Sequence, residues 1–387
     1  TKPQNFIEQI VDSDLSKGLS SEALRFRFPP EPNGYLHIGH TKAIGISFGL
    51  GETYQAPVNL RFDDTNPAKE DQEYVDAIKE DISWLGYKWD KEVYSSDYFE
   101  QLYAWALEMI KEGKAYVDSQ SSEAMAIQKG TPTQPGEDGP FRNRSVDENL
   151  ALFNQMKNGE FKAGTHVLRA KIDMSHPNML MRDPIIYRVI NKPHQRTQNK
   201  WRIYPMYDWA HGQCDYIEQI SHSLCSLEFR PHRDLYEWFL RTIKSQCNVA
   251  ELKITPKQRE FARLNLSYTI MSKRKLFSLV EQNHVSGWDD PRMPTISGLR
   301  RRGYTPNAIK NFISKVGVAK RDNVIDVSLL EFCAREDLNK TSKRAMAVLN
   351  PVLLKIINYP EKHKEELFFV DNTFLGTTLY SGKNNLF

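Results

Sequence analysis

The first ninety residues repeat a strand, a loop and a helix, and this repeat constrains the fold more than any other feature. Residues 24–28 alternate apolar and arginine side chains, as a strand does, and a Pro- and Gly-rich loop leads to a helix predicted at about 38–50. A second strand is predicted at 58–62, and a second helix at 67–86, with proline in its first turn and glycine at its stop. Two such units predict an α/β fold with a parallel sheet and a ligand site beyond the carboxyl ends of its strands.

The chain after this repeat has a different pattern. A Ser-, Gly- and Pro-rich loop at 119–140, a helix opened by the capping box Ser145–Glu148, and alternating stretches at 165–173 and 185–190 predict an insertion with its own small core. The apolar run at 203–207 resumes strand character, as if the first sheet were being completed.

The remainder of the chain is predicted to be mostly helical. An amphipathic pattern at 232–243 predicts one helix, and short helices are expected through 298–317 and 328–338. A chain of 387 residues with 40% hydrophobic content can bury more than one core, so we expect two or three domains.

The charge balance excludes a strongly basic field. Lys and Arg number 52 against 49 Asp and Glu, so local patches must meet any polyanionic partner. The densest are Arg142–Arg144, Lys273–Lys275 and Arg300–Arg302, each compatible with phosphate contact or with a solvated helix face. No apolar stretch approaches the roughly 20 residues of a membrane span, and the N-terminus lacks a signal pattern. We therefore expect a soluble, cytoplasmic protein without a membrane partner.

Four scattered cysteines are too few for a disulfide framework, but two of them raise the question of zinc. His211 with Cys214 and His222 with Cys225 form two His-x-x-Cys pairs, which could supply four ligands. The segment between them, 215–220, alternates as a strand does and has no glycine for a tight metal loop. We therefore favour a site without metal.

Two histidines and a distant lysine form the most chemically specific pattern. His37 and His40 lie three residues apart at the start of a helix, so both project beside its positive end. Gly39 between them has no side chain, so a nucleoside could lie against the backbone. Lys273, expected in a loop, could close over the β- and γ-phosphates of a triphosphate. Each taken singly fits a surface histidine or a solvated loop, but together they predict adenylyl transfer. P-loop and dinucleotide fingerprints are absent, which argues against a P-loop ATPase and an NAD enzyme.

With these residues, the chain resembles the class I aminoacyl-tRNA synthetases, and most closely the glutaminyl members of that class. The two signatures of the class, written HIGH and KMSKS, stand here as His37-Ile38-Gly39-His40 and as the variant Met271-Ser272-Lys273-Arg274. Further blocks in the family's order lie at 27–35, 61–67, 204–208, 222–229 and 287–292. The resemblance covers residues 20–358.

The resemblance implies a Rossmann-type catalytic domain split by an α/β insertion that binds the tRNA acceptor stem, followed by a helical subdomain. The segments expected are the first catalytic half at 24–98, the insertion at 99–206, the second catalytic half at 207–258, the helical subdomain with the KMSKS-type segment at 259–340, and the start of an anticodon-binding region at 341–387. Full-length members continue into two β-barrels that bind the anticodon, so we expect a fragment or a truncated product. Residues 361–387 do not resemble the family.

The resemblance also implies a role for each matching residue. Glutamine would be bound by Asp63 and Tyr207, with Arg27 nearby. The implied ATP-binding residues are Glu31, Pro32, Asn33, His37, Gly39, His40, Ser226, Arg263, Leu264, Met271, Ser272 and Lys273. Magnesium would accompany the ATP, and His37, His40 and Lys273 would be catalytic, stabilising the charge that develops during transfer.

The implied reaction attaches glutamine to the 3′ end of tRNA(Gln) through an adenylate. The glutamine carboxylate is ionised at pH 7 and needs no general base, so the enzyme has only to align it and neutralise the transition state. The 2′-hydroxyl of the terminal adenosine would then attack the adenylate and release AMP. We expect a monomer that requires bound tRNA for the first step.

Three alternatives stay open at this point. A glutamyl-tRNA synthetase of the eukaryotic and archaeal kind shares much of this core, although blocks 205–207 and 224–227 look more like the glutamine enzyme. A truncated paralogue that aminoacylates a modified tRNA base would fit a chain without anticodon barrels. A non-catalytic tRNA-binding protein has no physical reason to keep His37, His40, Asp63 and Lys273 together.

Overall fold

The structure, a computed structural model, describes residues 4–246, 253–343, 349, 357–358, 365–372 and 376–383. Its helices are α1 Phe6–Ser16, α2 Ile38–Tyr54, α3 Gln72–Trp84, α4 Phe99–Lys111, α5 Ser122–Gln128, α6 Val146–Asn158, α7 Tyr207–Ile217, α8 Arg233–Gln246, α9 Lys273–Glu281, α10 Ile296–Arg302, α11 Pro306–Val316 and α12 Val327–Thr341. Its strands are β1 Phe26–Phe28, β2 Val58–Phe62, β3 Glu92–Tyr94, β4 Ala115–Asp118, β5 Val167–Ala170, β6 Ile185–Val189, β7 Ile203–Pro205, β8 His222–Ser226, β9 Lys257–Phe261, β10 Asn265–Leu266, β11 Val324–Ile325, β12 Glu365–Asn372 and β13 Gly376–Lys383.

Parallel strands form the centre of the fold, as the sequence predicted. Strands β1, β2 and β3 pair in that order, and β8 pairs with β9 in a second parallel ladder. Ser221, just before β8, donates its backbone N–H to the carbonyl of Arg25, just before β1, at 3.0 Å. Strand β8 therefore lies beside β1, and the chain changes sides of the sheet there. In α/β folds the crevice beyond the strand ends at such a switch point is the usual ligand site.

The helix after β2 begins later than predicted. Helix α3 starts at Gln72 rather than at Pro67, because the carboxylate of Asp71 accepts the N–H of Glu73 at 3.0 Å and caps it. The residues before the cap form turns, in which Glu70 accepts the N–H of Asn66 at 2.6 Å. The stop predicted at Gly86 is confirmed, since this glycine follows the C-cap with φ of 82°.

The insertion has its own antiparallel sheet, in the order β4-β5-β6-β7. Helix α6 begins after Ser145, as predicted, and the hydroxyl of Ser145 accepts the N–H of Glu148. The Glu148 carboxylate pairs with Arg144 at 3.2 Å, so only half of the predicted capping box is present. Two predictions were wrong here. The loop at 119–140 contains helix α5, capped by Ser121, and β7 completes the insertion's sheet rather than the parallel one.

The prediction of a strand at 215–220 was also wrong. Residues 215–217 form the last turn of α7, and only the residues after Ile217 lie outside the helix. Helix α7 is almost entirely buried because it packs against α8. The amphipathic helix predicted at 232–243 is confirmed as α8. Strand β9 crosses the domain boundary predicted at residue 258, so the parallel strands extend slightly further than expected.

Two large apolar cores hold the chain together. One joins the insertion to α4, α7 and α8. The other joins the first parallel strands and α2 to helices α10, α11 and α12, so the helical region shares a core with the N-terminal half. Strands β12 and β13 form an antiparallel hairpin, and most of the other residues of the predicted anticodon region, 341–387, lie outside the described residues.

Candidate active site

A cavity of about 790 Å³ opens where the carboxyl ends of β1, β2 and β8 meet the starts of α2, α7 and α9. Twelve residues predicted for the site line its wall: Glu31, His37, Gly39, His40, Asp63, Tyr207, Ser226, Arg263, Leu264, Met271, Ser272 and Lys273. Arg27, Pro32 and Asn33 are not part of the wall. The cavity lies at the switch point of the parallel strands, where the sequence placed it.

The two histidines are held side by side at the start of α2. His37 is the N-cap residue, and its Nδ1 accepts the N–H of Gly39 at 3.0 Å. His40 Nδ1 accepts the N–H of His37 at 3.0 Å, and the two ring centroids are 4.0 Å apart. Because each Nδ1 is an acceptor, the proton of each neutral ring lies on Nε2. Each ring therefore keeps one N–H free to donate.

Both imidazoles are neutral near pH 7. Burial, reinforced by the charge of Lys273, lowers the pKa of His37 to about 4. Burial also lowers the pKa of His40 well below its ordinary value, with His37 and Lys273 acting in the same direction. The pair thus offers hydrogen bonds to phosphate oxygens without adding positive charge.

Gly39 has a structural reason to be glycine, beside the predicted contact with a nucleoside. A Cβ at this position would lie 2.7 Å from Cε1 of His37, which is closer than real Cβ contacts. The imidazole of His37 thus occupies the place that a side chain at position 39 would need. Glycine is required here so that His37 can fold back and cap α2.

Lys273 is the first residue of helix α9, so the prediction that it lies in a loop was wrong. The helix begins there because Ser272 is extended and its carbonyl accepts the N–H of the buried Leu276 at 3.0 Å. The ammonium group contacts the side-chain carbonyl of Asn33, whose amide donates to Glu31 at 2.6 Å. Burial lowers the pKa of Lys273 to about 8, and Glu31 opposes that shift.

Asp63 and Tyr207 form the opposite side of the cavity. Asp63 follows β2 directly, and its Oδ1 accepts the hydroxyl of Ser95 at 2.7 Å. Tyr207 begins α7 and stacks on His211, with ring centroids 4.8 Å apart. Burial raises the pKa of Asp63, while Arg61 and the Ser95 hydrogen bond lower it.

Arg27 lies beneath this side of the cavity in a closed network of charges. Its guanidinium donates to Asp215 at 3.0 Å and to the carbonyl of Leu224 at 2.7 Å. Asp215 also receives Arg61 at 2.8 Å, and Arg61 donates to Glu218 at 2.9 Å. Although burial alone would raise the pKa of Asp215, the two guanidiniums hold it well below its usual range. Arg27 therefore supports the cavity floor.

Some residues of the cavity wall were missed by sequence reasoning. They include His211, Cys225 and Phe229. His211 had a detectable signal, because it lies one helical turn after Tyr207 and therefore on the same face of α7. The sequence analysis considered His211 only as a zinc ligand and did not favour that role.

The possible zinc ligands do not converge. His211 Nε2 lies 3.1 Å from Arg27, and Cys214 lies 3.9 Å from Ser95. His222 Nε2 lies 3.3 Å from Asp14. Within 4–246 and 253–343, no three His, Cys, Asp or Glu side chains form a group that could hold a metal ion.

Two of the basic clusters make contacts within the protein. Arg142 pairs with Asp183 at 2.7 Å, and Arg144 donates to the carbonyl of Val117 at 2.7 Å. These two arginines thus brace the insertion. In the cluster at 300–302, Arg300 pairs with Glu80 at 2.8 Å.

No helix in the described part of the chain is both long and apolar enough to cross a membrane.

Comparison with known proteins assigns the chain to a family. Residues 23–340 match the catalytic domain described as tRNA synthetases class I (E and Q). Proteins named Glutamine–tRNA ligase are 55% identical in Pseudomonas syringae pv. tomato over 366 residues and 56% identical in Tolumonas auensis over 367 residues. These alignments cover 94% and 95% of this chain but 63% and 65% of the relatives, so the chain spans less than two thirds of their length.

Solved structures agree on the fold. A glutamate tRNA ligase from Elizabethkingia meningosepticum, in complex with its amino acid, superposes with a TM-score of 0.61 at 16% identity, covering 83% of this chain and 70% of that one. At that identity the likeness supports the fold alone. The sequence match over residues 23–340 goes further, and it shows that the chain belongs to the class I tRNA synthetases of the E and Q type.

Proposed function

We propose that this protein attaches glutamine to the 3′ end of tRNA(Gln) through a glutaminyl-adenylate, consuming ATP and releasing pyrophosphate and AMP. The observation that carries the proposal is the convergence of His37, His40 and Lys273 with Asp63 and Tyr207 in one cavity. Relatives named Glutamine–tRNA ligase, 53–56% identical to this chain, support glutamine as the amino acid.

In the activation step, the amino-acid carboxylate attacks the α-phosphate and pyrophosphate leaves. The carboxylate is already ionised, so the chain supplies alignment and charge stabilisation. The Nε2–H groups of His37 and His40 donate to phosphate oxygens, and the ammonium of Lys273 offsets charge on the leaving group. Asn33 and Glu31 hold that ammonium before the nucleotide arrives.

Selection of glutamine over glutamate follows from the charges around Asp63. Its carboxylate attracts the α-ammonium of either amino acid but repels a second carboxylate. Arg27 and Arg61, the cations whose charge acts on Asp63, are both committed to Asp215. A glutamate side chain would therefore have to compete with Asp215 for either guanidinium.

Magnesium enters this proposal as part of the MgATP substrate. The described residues contain no group of three metal-ligating side chains, so they do not form a dedicated protein cage for the ion. Mg²⁺ commonly uses substrate phosphates as ligands, with few from the protein. The ion would shield phosphate charge, and the residues above would hold the nucleotide itself.

The insertion at 99–206 is proposed to bind the acceptor stem and deliver the tRNA 3′ end to the cavity. Its loop at 192–200 contacts the catalytic core, because His194 Nε2 lies 2.8 Å from the carbonyl of Asp64 and Arg196 pairs with Asp97 at 2.7 Å. These contacts fix the insertion against the side of the cavity that holds Asp63. The division into segments at 98, 206 and 340 remains part of this proposal, with the boundary near 258 moved to the end of β9.

We further propose that the protein acts as a monomer in the cytoplasm. The three described cysteines, Cys214, Cys225 and Cys333, are free thiols, which suits a reducing compartment.

A pyrophosphate-exchange assay tests the proposed function. The chain is incubated with ATP, labelled pyrophosphate and tRNA(Gln), with glutamine in one series and glutamate in the other. We expect exchange that depends on glutamine and on tRNA. Exchange with glutamate and not with glutamine would mean that glutamate is the substrate. Binding of tRNA without exchange would indicate a non-catalytic protein. A parallel charging assay with labelled amino acid locates the product, and label at a tRNA base rather than at the 3′ end would indicate the base-modifying paralogue.

A further inference from the structure

Two adjacent serines face two adjacent aspartates at the edge of the active-site cavity. Ser95 and Ser96 begin a 3₁₀ turn between β3 and α4, opposite Asp63 and Asp64 at the end of β2. The hydroxyl of Ser95 donates to Asp63 Oδ1 at 2.7 Å, and the hydroxyl of Ser96 donates to Asp64 Oδ2 at 2.6 Å. All four residues are buried. Each carboxylate is thus held by its own serine.

The two pairs differ in what remains free. Asp64 has both oxygens engaged, because Oδ1 also accepts the N–H of Ser96 at 2.8 Å. Asp63 lines the cavity, and Ser95 occupies only its Oδ1. From the described residues no hydrogen bond reaches Oδ2 of Asp63, and this oxygen is not sealed from solvent. Oδ2 is therefore the oxygen that a ligand can reach.

We infer that Ser95 is a positioning residue for the amino-acid substrate: by fixing Oδ1 of Asp63, its hydroxyl presents the ionised Oδ2 to the substrate's α-ammonium group. The inference rests on the proposed function, because it assigns that ammonium to Asp63. It adds a residue that touches no substrate and that sequence reasoning did not single out. Ser95 is fully buried, and its side chain contacts the carboxylate directly.

The electrostatics around Asp63 explain why one hydroxyl matters. Burial raises the pKa of this carboxyl, and the guanidinium of Arg61, 3.6 Å from Oδ1, acts against that rise together with the hydroxyl of Ser95. Asp63 also interacts electrostatically with other titratable groups, namely Arg27, Glu31, Glu70, Tyr207 and Cys214. Loss of the hydroxyl would leave Arg61 as the main group keeping Asp63 ionised.

The test compares Ser95→Ala with Ser96→Ala, its neighbour and matched control. Both variants remove one buried hydroxyl from one buried carboxylate, but only Ser95→Ala affects the carboxylate in the cavity. Exchange rates are measured against glutamine concentration, with ATP and tRNA saturating, from pH 5.5 to 8.5. We expect Ser95→Ala to raise KM for glutamine roughly 10-fold or more, the scale of a hydrogen bond to a charged group. KM for ATP should stay within about twofold.

The pH profile separates positioning from a merely structural role. Without the hydroxyl the pKa of Asp63 rises further, so the loss of kcat/KM for glutamine on acidification should begin at a higher pH than in the wild type. Ser96→Ala should leave the acidic limb of the kcat/KM profile where it is in the wild type, even if both alanine variants melt at a lower temperature. Ser95→Thr, which keeps the hydroxyl, should return the acidic limb to its wild-type position. Equal effects in the two alanine variants, or an unmoved limb in Ser95→Ala, would overturn the inference.

Failure of the proposed function would show itself differently. If the wild type uses glutamate instead of glutamine, the same comparison is made with KM for glutamate, because the α-ammonium is common to both. If it catalyses no exchange, titration calorimetry with each amino acid measures the ammonium contact without catalysis. Binding that is unchanged by Ser95→Ala, or no binding by the wild type, would then overturn the inference as well.

Discussion

The floor of the cavity under Asp63 and the phosphate side at Lys273 are built in opposite ways. Beneath Asp63, the side chains of Arg27 and Asp215 are fully buried, at 0% exposure, and belong to a closed network of charges. On the phosphate side, Lys273 reaches Asn33 across 240 residues of sequence, and Arg263 pairs with Glu228 through side chains that are 56% exposed. One side is locked in place, and the other rests on a few contacts.

This difference suggests a division of labour. Buried charges can be moved only at a large energetic cost, so the floor holds the amino-acid site in one geometry. Helix α9 instead packs on a small separate cluster of Leu276, Trp288 and Met293. Tyr35 stacks on Trp288 of this cluster, with ring centroids 5.4 Å apart. A local rearrangement there would leave the two main cores intact, which suits the side that must admit a nucleotide and release pyrophosphate.

The largest effect is expected in the floor. Asp215→Ala leaves Arg27 and Arg61 buried without their shared carboxylate, so we expect a loss of about 3–5 kcal/mol in the free energy of unfolding. Denaturant unfolding of the purified protein measures this loss. Asp208→Ala is the control, because Asp208 lies on the same helix but pairs with a partly exposed His232. Equal losses in the two variants would mean that the network does not hold the floor.

On the phosphate side, the largest effect should be kinetic. Lys273→Ala removes the cation that stabilises the leaving group, and we expect activation to slow roughly 100-fold while the protein remains folded. Pyrophosphate exchange measures the rate, and Lys275→Ala, an exposed lysine of the same helix, is the control. A Lys273→Ala rate within threefold of the wild type would remove Lys273 from the mechanism.

The pH dependence of the same lysine gives a smaller effect. Since burial lowers the pKa of Lys273 to about 8, its charge is present below pH 8 and is lost as the pH rises through that value. We expect kcat/KM for ATP to fall roughly fivefold between pH 8 and pH 9. Lys273→Arg, which stays charged, should show no such fall. A wild-type profile that is flat to pH 9.5 would contradict a depressed pKa.

The smallest effect is expected at the exposed ion pair. Glu228→Gln breaks its contact with Arg263, and because both side chains are more than half exposed, the free energy of unfolding should change by less than about 1 kcal/mol. Thermal melting measures this change, with Asp215→Ala as the reference for a buried pair. A change as large as that of Asp215→Ala would show that the two sides are equally locked.

The sequence was sufficient where local patterns set the chemistry. The parallel strands, the start of α2 and the histidine pair follow from hydrophobic alternation, a Pro- and Gly-rich loop and a helix start, all local features. The clustering of Asp63 with Lys273 in one cavity was also expected from the family's blocks. These residues lie at strand ends or helix starts, where sequence signals are strongest.

The rest depended on contacts between distant segments. Asp215 meets Arg27 across 188 residues, so nothing in the sequence around either residue shows the network. The beginning of α3 was misplaced because Asp71 caps it better than Pro67 starts it. Ser95 was missed because a serine after a short strand has no local mark of its role, which appears only when the turn is placed opposite Asp63.

The position of β8 beside β1 has a consequence for synthesis on the ribosome. Ser221 bonds to Arg25, and 196 residues separate these neighbours in the chain. At 5–20 residues per second, the free edge of β1 must wait roughly 10–40 s for its partner. During that interval the complete insertion is translated, and its antiparallel sheet can fold because all of its strands pair within residues 115–205. The amino-acid site therefore cannot form until more than half of these 387 residues have been synthesised.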